Sequence, residues 1–319
     1  TSVLLIATTD GVFRTAGLGF DTAKRVLDCG HTERICVAND GTVYAAARSG
    51  LHATADAGDT WATIDLPAEE AWTVMAANDA VYAGTYPARI IRSASDQSSW
   101  DPIEGFDRHA DGAGWIAPHD PTAGRVMAIA VDPGDANRLV AGIEIGGVHT
   151  SADGGETWVA HGAVPDDVHH VLAPAAGEYI VSTGMLDTDH LYGPAGLYRT
   201  RDGGSTWSRL DQDLDRSYFR ETFRYDGVLY AAATRGPPPS WDDSGADAAL
   251  YESRNDGASF EAVGYPGEPA EFVFTWASVD DRVVAGTGPE APGHLLTRTA
   301  EGWERVGRVP AGIRSIATV

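Results

Sequence analysis

The chain has 319 residues, 43% of them hydrophobic, with 46 acidic against 23 basic side chains and a formal net charge of −23. That apolar content supports a real core, in one large closed β architecture or in two ordinary domains. The charge argues against nucleic acid and anionic membrane as partners, and no apolar run approaches the ~20 residues of a spanning helix.

Taken from the start, Val3-Leu-Leu-Ile-Ala-Thr8 reads as a strand. The N-terminal stretch Thr1-Ser-Val-Leu-Leu-Ile-Ala-Thr-Thr9 is too short and uncharged for a signal peptide, so a cytoplasmic chain is expected. Cys29 and Cys36 fall in different predicted strands and form neither a metal nor a redox motif. From there the chain repeats a pattern. An alternating strand is followed by a large-then-small strand such as Val43-Tyr-Ala-Ala-Ala47 or Val81-Tyr-Ala-Gly-Thr85. Next come a short strand ending in Ser or Thr, a tight turn and an outer strand. The turn is clearest in Ser151-Ala-Asp-Gly-Gly-Glu-Thr-Trp158, and recurs at 54–61 and 200–207. In it Asp153 can accept backbone N–H bonds, Gly154 and Gly155 supply positive φ, and Trp158 anchors the returning strand.

The aromatic that closes each phrase falls at Phe20, Trp61, Trp100, Trp158, Trp207, Phe260 and Trp303, a repeat of about 40 residues with insertions. Four short strands in each of seven units predict an all-β, seven-bladed propeller. Its blades would be 30–66, 67–105, 125–164, 165–212, 213–265 and 266–309. A composite of 1–29 with 310–319 closes the ring, 106–124 forms an inserted loop, and 1–319 is one domain.

The turns resemble the Asp-box, or BNR, repeat, Ser/Thr-x-Asp-x-Gly-x-Thr-Trp. The copies at 93–100 and 253–260 are degenerate and those ending at Phe20 and Trp303 more so. Ile129-Ala-Val-Asp-Pro, Gly146-Gly-Val-His-Thr-Ser and Arg235-Gly-Pro-Pro are similar to a group of prokaryotic BNR-repeat proteins labelled glycosyl hydrolase-like. The resemblance implies a sialidase-like superfamily propeller and names no activity. With 31 Asp and a single Lys, Lys24, the composition resembles that of halophile proteins. At molar salt the Debye length of about 3 Å removes most self-repulsion.

Such a propeller places the inserted loops on the face opposite the Asp turns. His169 and His170, at the start of an inner strand, Glu144 and Glu221 are the catalytic candidates there. One of the two histidines is expected to point into the channel and the other into the blade. No metal is firmly indicated. A divalent ion is possible on His169, His190, Asp187 and Asp189, although no tight ligand spacing is present. The ligand-binding candidates are Arg34, Arg125, Arg220, Arg235 and Arg314, whose planar forks suit carboxylate or phosphate, with Tyr218, Trp241, His119 and His190. Equally, these arginines can pair within the chain, with Glu33, Glu144 or Glu221.

Two functions remain. One is a non-catalytic propeller binding a small anionic molecule, a saccharide or a protein, with oligomeric state unread. The other is a hydrolase or lyase, glycosidase-like, with or without a metal, at the channel mouth. Convergence of His169 or His170, His190 and a carboxylate in a pocket would favour the enzyme. A mouth plugged by arginine–carboxylate pairs would count against it.

Overall fold

A computed structural model describes residues 2–19, 23–94, 98–184, 195–241 and 245–319. Among these residues the chain forms seven four-stranded antiparallel sheets. Each sheet runs from an innermost strand outwards in chain order. In the composite blade, Ile313–Thr318 is innermost and pairs with Val3–Thr8, so the two ends of the chain close the ring. The other innermost strands are Thr32–Val37, Glu70–Ala77, Val126–Asp132, Val168–Ala175, Tyr218–Tyr225 and Glu271–Val279. Closure removes the unpaired edges that an open ring would expose.

The core lies between blades. Val140 and Val148 of the fourth blade pack with Val168, Val181 and Tyr198 of the fifth. The small residues of each second strand set the spacing. A Cβ added at Gly84 would lie 2.8 Å from the Cβ of Val126. One at Gly142 would lie 2.4 Å from Val168 Cγ1, and one at Gly286 would lie 2.6 Å from Ile313 Cγ2. In all three, glycine faces the β-branched residue that opens the next blade's innermost strand.

The Asp turns are fasteners. Asp153 accepts from Thr157 N at 2.9 Å, from Thr157 Oγ1 at 2.6 Å and from Ser151 Oγ at 2.8 Å, and Gly155 N donates to Ser151 Oγ. Asp56 and Asp202 repeat these bonds. Asn255 fills the same place in the sixth blade. The stretch expected as an inserted loop begins with a helix, Glu104–Ala110, whose Phe106 is fully buried against Trp115 and Trp158. A seven-residue helix is too short to show helical periodicity in the sequence.

Candidate functional site

One local irregularity builds the channel mouth. Every innermost strand breaks register with its neighbour within its first few residues, where one extra residue is bulged out. The residues set aside are Arg314, Glu33, Trp72, Met127, His169, Arg220 with Glu221, and Phe274. Bulges re-aim side chains and leave the extra residue outside the ladder. Seven of them at equivalent positions make a ring of unlike side chains around one end of the channel.

Across this ring the chain bridges itself. Glu33 accepts from Arg220 at 2.9 Å, although 187 residues separate them, and meets His31 Nε2 at 2.8 Å. Arg34 reaches Glu221 in the same way, between the second and sixth blades. Glu221 Oε2 also accepts from the backbone N–H of Trp276 at 3.1 Å. Burial would raise the Glu221 carboxyl, but Arg34 and His170 outweigh it and hold it below its usual value. Arg125 pairs with Glu144 in a buried contact and lies 3.8 Å above the Trp72 ring, and Arg48 stands 5.0 Å from the same ring.

Arg220 and Arg314 share the Phe274 ring, at 4.9 and 4.6 Å from its centroid. Arg314 comes only within 3.8 Å of Glu33, beyond hydrogen-bond reach, and its buried Nε has no hydrogen-bond partner among the described residues. Burial lowers its pKa, and both Arg220 and Arg48 push it the same way. Arg48 forms no ion pair among the described residues. At the mouth of this strongly acidic chain Arg220 and Arg314 thus flank Glu33, with Arg48 near enough to act on Arg314 and Asp167 near enough to act on Arg220.

The histidine pair divides differently from a plain strand. His170 lines the central cavity, of about 330 Å³, below the Arg34–Glu221 bridge. Its Nε2 is 3.9 Å from Glu221, and burial pushes its pKa down to about 4. His169 is the bulged residue and turns to the neighbouring blade instead of into its own. Its Nδ1 lies 2.6 Å from the Phe219 carbonyl, its Nε2 lies 3.2 Å from Asp167, and Tyr218 packs edge-on to the ring. The carbonyl can only accept, so Nδ1 carries a proton, and Nε2 and the Asp167 carboxylate face one another. Gly184 closes over this pair, since a Cβ there would meet both Asp167 and His169 at 2.3 Å. Burial, reinforced by Asp167, raises the Glu144 carboxyl against the pull of Arg125. Burial also pushes the Tyr218 hydroxyl up to about 12.

The other candidates lie apart. His119 is exposed and lies tilted beside Tyr86, with ring centroids 5.8 Å apart. Arg235 bonds Asp247 and Asp215 at the surface, a contact of small energetic value. Trp241 donates to the Gly236 carbonyl at 3.0 Å and packs on Phe272 beside Tyr218 and Phe274. His190, Asp187 and Asp189 lie outside the described residues. Among the described residues no group of three His, Cys, Asp or Glu is arranged to hold a metal. No described helix is long and apolar enough to cross a membrane. Sequence reasoning missed Trp72, Phe274 and His31. Aligning the seven inner-strand starts and looking for the break in alternation would have found the first two.

No family model and no curated protein matches the chain. Solved structures do. A GH74 xyloglucanase from Xanthomonas campestris aligns with TM-score 0.67 at 14% identity, over 98% of this chain and 53% of its own. The GH74 enzyme of Niastella koreensis aligns with TM-score 0.63 at 15% identity, over 95% of this chain and 47% of its own. This chain thus spans about half the length of these two GH74 matches. YCF48 bound to D1 peptide aligns with TM-score 0.57 at 13% identity, over 95% of this chain and 84% of its own. At such identities the likeness is one of fold, and the chain is a seven-bladed β-propeller whose fold relatives include both hydrolases and binding proteins.

Proposed function

We propose that the chain is a non-catalytic propeller of the Asp-box type. It binds an anionic group, carried by a small molecule or a protein, at the channel mouth opposite the Asp turns. The carrying observation is the pair Arg220 and Arg314 at Glu33, with Arg48 near Arg314 and the three guanidiniums held over the rings of Trp72 and Phe274. Arginines fixed on aromatic faces are ordered before a ligand arrives, so less entropy is lost on binding. A peptide-bound fold relative supports recognition as a use of this scaffold.

One observation favours a hydrolase instead. The raised carboxyl of Glu144 shifts in the direction a general acid needs. Against it, Glu144 is held by Arg125, and Glu221 is tied to Arg34 and to the Trp276 backbone. The mouth is thus bridged by arginine–carboxylate pairs, the arrangement that counts against catalysis.

A thermal-shift panel of acetate, succinate, citrate and phosphate at constant ionic strength tests the proposal. At least one anion is expected to raise the wild-type midpoint, and Arg314→Gln to abolish the shift, with no sugar released from xyloglucan. Equal shifts in the two proteins, or turnover lost in Glu144→Gln, would contradict it.

A further inference from the structure

We propose that Glu33 is the resident carboxylate of this anion site and that the ligand is a planar carboxylate which takes its place between Arg220 and Arg314. The inference rests on the anion-binding reading and adds the class of ligand and a built-in competitor.

The two oxygens of Glu33 serve different donors. Oε1 accepts from Arg220 at 2.9 Å, and Oε2 meets His31 at 2.8 Å and approaches Arg314 at 3.8 Å. A carboxylate is therefore already accommodated among these donors, and a second group of that shape fits without rebuilding them. The fit is incomplete. Arg314 keeps a buried Nε with no hydrogen-bond partner among the described residues, although a guanidinium carries five donor hydrogens. A side chain tethered to its own strand leaves that donor unused, and a free carboxylate can reach both arginines.

Two features let Glu33 leave. It is the bulged residue of its strand, skipped between the Thr32–Ala47 and Arg34–Ala46 pairs, so its departure breaks no ladder pairing. The guanidiniums it would vacate stay on Phe274. Glu33 is also held ionised. Burial would raise its carboxyl, but Arg314, His31 and Arg220 keep it well below the usual range. A neutral Gln of the same shape should therefore be a weaker occupant.

The test is calorimetric titration of wild type, Glu33→Gln and Glu33→Asp with succinate and, separately, inorganic phosphate. Asp keeps the charge but withdraws it by one methylene, and provides a readout if the Gln variant fails to fold. Succinate affinity is expected to rise at least about tenfold in Glu33→Gln, the equivalent of about 1.4 kcal/mol, and by less in Glu33→Asp, with phosphate gaining less than succinate. The inference is overturned if both variants bind succinate no tighter than wild type while Arg314→Gln still abolishes wild-type binding. That result leaves the anion site standing with Glu33 as a permanent structural partner. If wild type and variants bind neither anion, the inference and the reading beneath it both fall.

Discussion

His170 shows how much of a residue's role depends on its neighbours. The sequence places it at an inner-strand start, and alternation sends one of the histidine pair into the channel. Only the bulge at His169 explains why the other leaves for the next blade. Burial lowers the pKa of His170 from 6.5 to about 4, and does the same to His149, buried in the strand Gly147–Ser151 with its Nε2 2.9 Å from the Gly146 carbonyl. In that window the unfolded chain binds protons that the folded one does not. Stability should therefore fall as pH drops from about 6.5 to about 4. Replacing both residues with Gln should flatten this part of the curve, as read by denaturant unfolding at fixed ionic strength. An unchanged slope would mean that neither histidine is buried in its neutral form.

At the scale of the element, the Asp turn was legible because its chemistry is local. Asp, the following glycines and Thr lie within a few residues of one another, and their bonds need nothing from the rest of the chain. Those bonds hold the exposed Asp153 carboxyl at about 2, below its ordinary 3.8. Its stabilising contribution is present above the ordinary value and is lost as pH falls through about 2. Asp153→Ala should lower the thermal midpoint at pH 7 more than Asp153→Asn, because Asn255 already serves in the sixth-blade turn. Equal losses would show that the acceptor geometry is unimportant.

The glycines of the second strands were legible as small residues, but their partners were not, because each faces the following blade across a long sequence gap. Gly142→Ala should cost about 1–3 kcal/mol by overpacking against Val168. Adding Val168→Ala should recover part of that loss in a double-mutant cycle. Strict additivity would contradict the contact.

At the scale of the molecule, the seven-fold count followed from the spacing of the aromatics, and the terminal pairing from the shape of the first and last segments. The mouth was only half legible. Arg34, Arg125, Arg220 and Arg314 could be placed at inner-strand starts, and pairing with Glu33, Glu144 and Glu221 could be foreseen as an option. Which acid meets which arginine could not be, because Glu33 and Arg220 are brought together only when the ring closes. The aromatic supports were missed as well, since Trp72 and Phe274 face the mouth through register breaks that show only when the seven inner-strand starts are compared with one another.

The resulting picture is a ring whose inner-strand bulges gather at one mouth, where Arg48, Arg220 and Arg314 form the proposed anion site of a chain of net charge −23. Calorimetric titration of wild type and the Arg48→Gln, Arg314→Gln double variant tests that claim most directly. The titrant is the anion most effective in the thermal panel, at constant ionic strength. Saturable binding of one anion per chain, lost in the double variant while its fold and unfolding cooperativity persist, is the predicted result. Binding that survives loss of both arginines would contradict it.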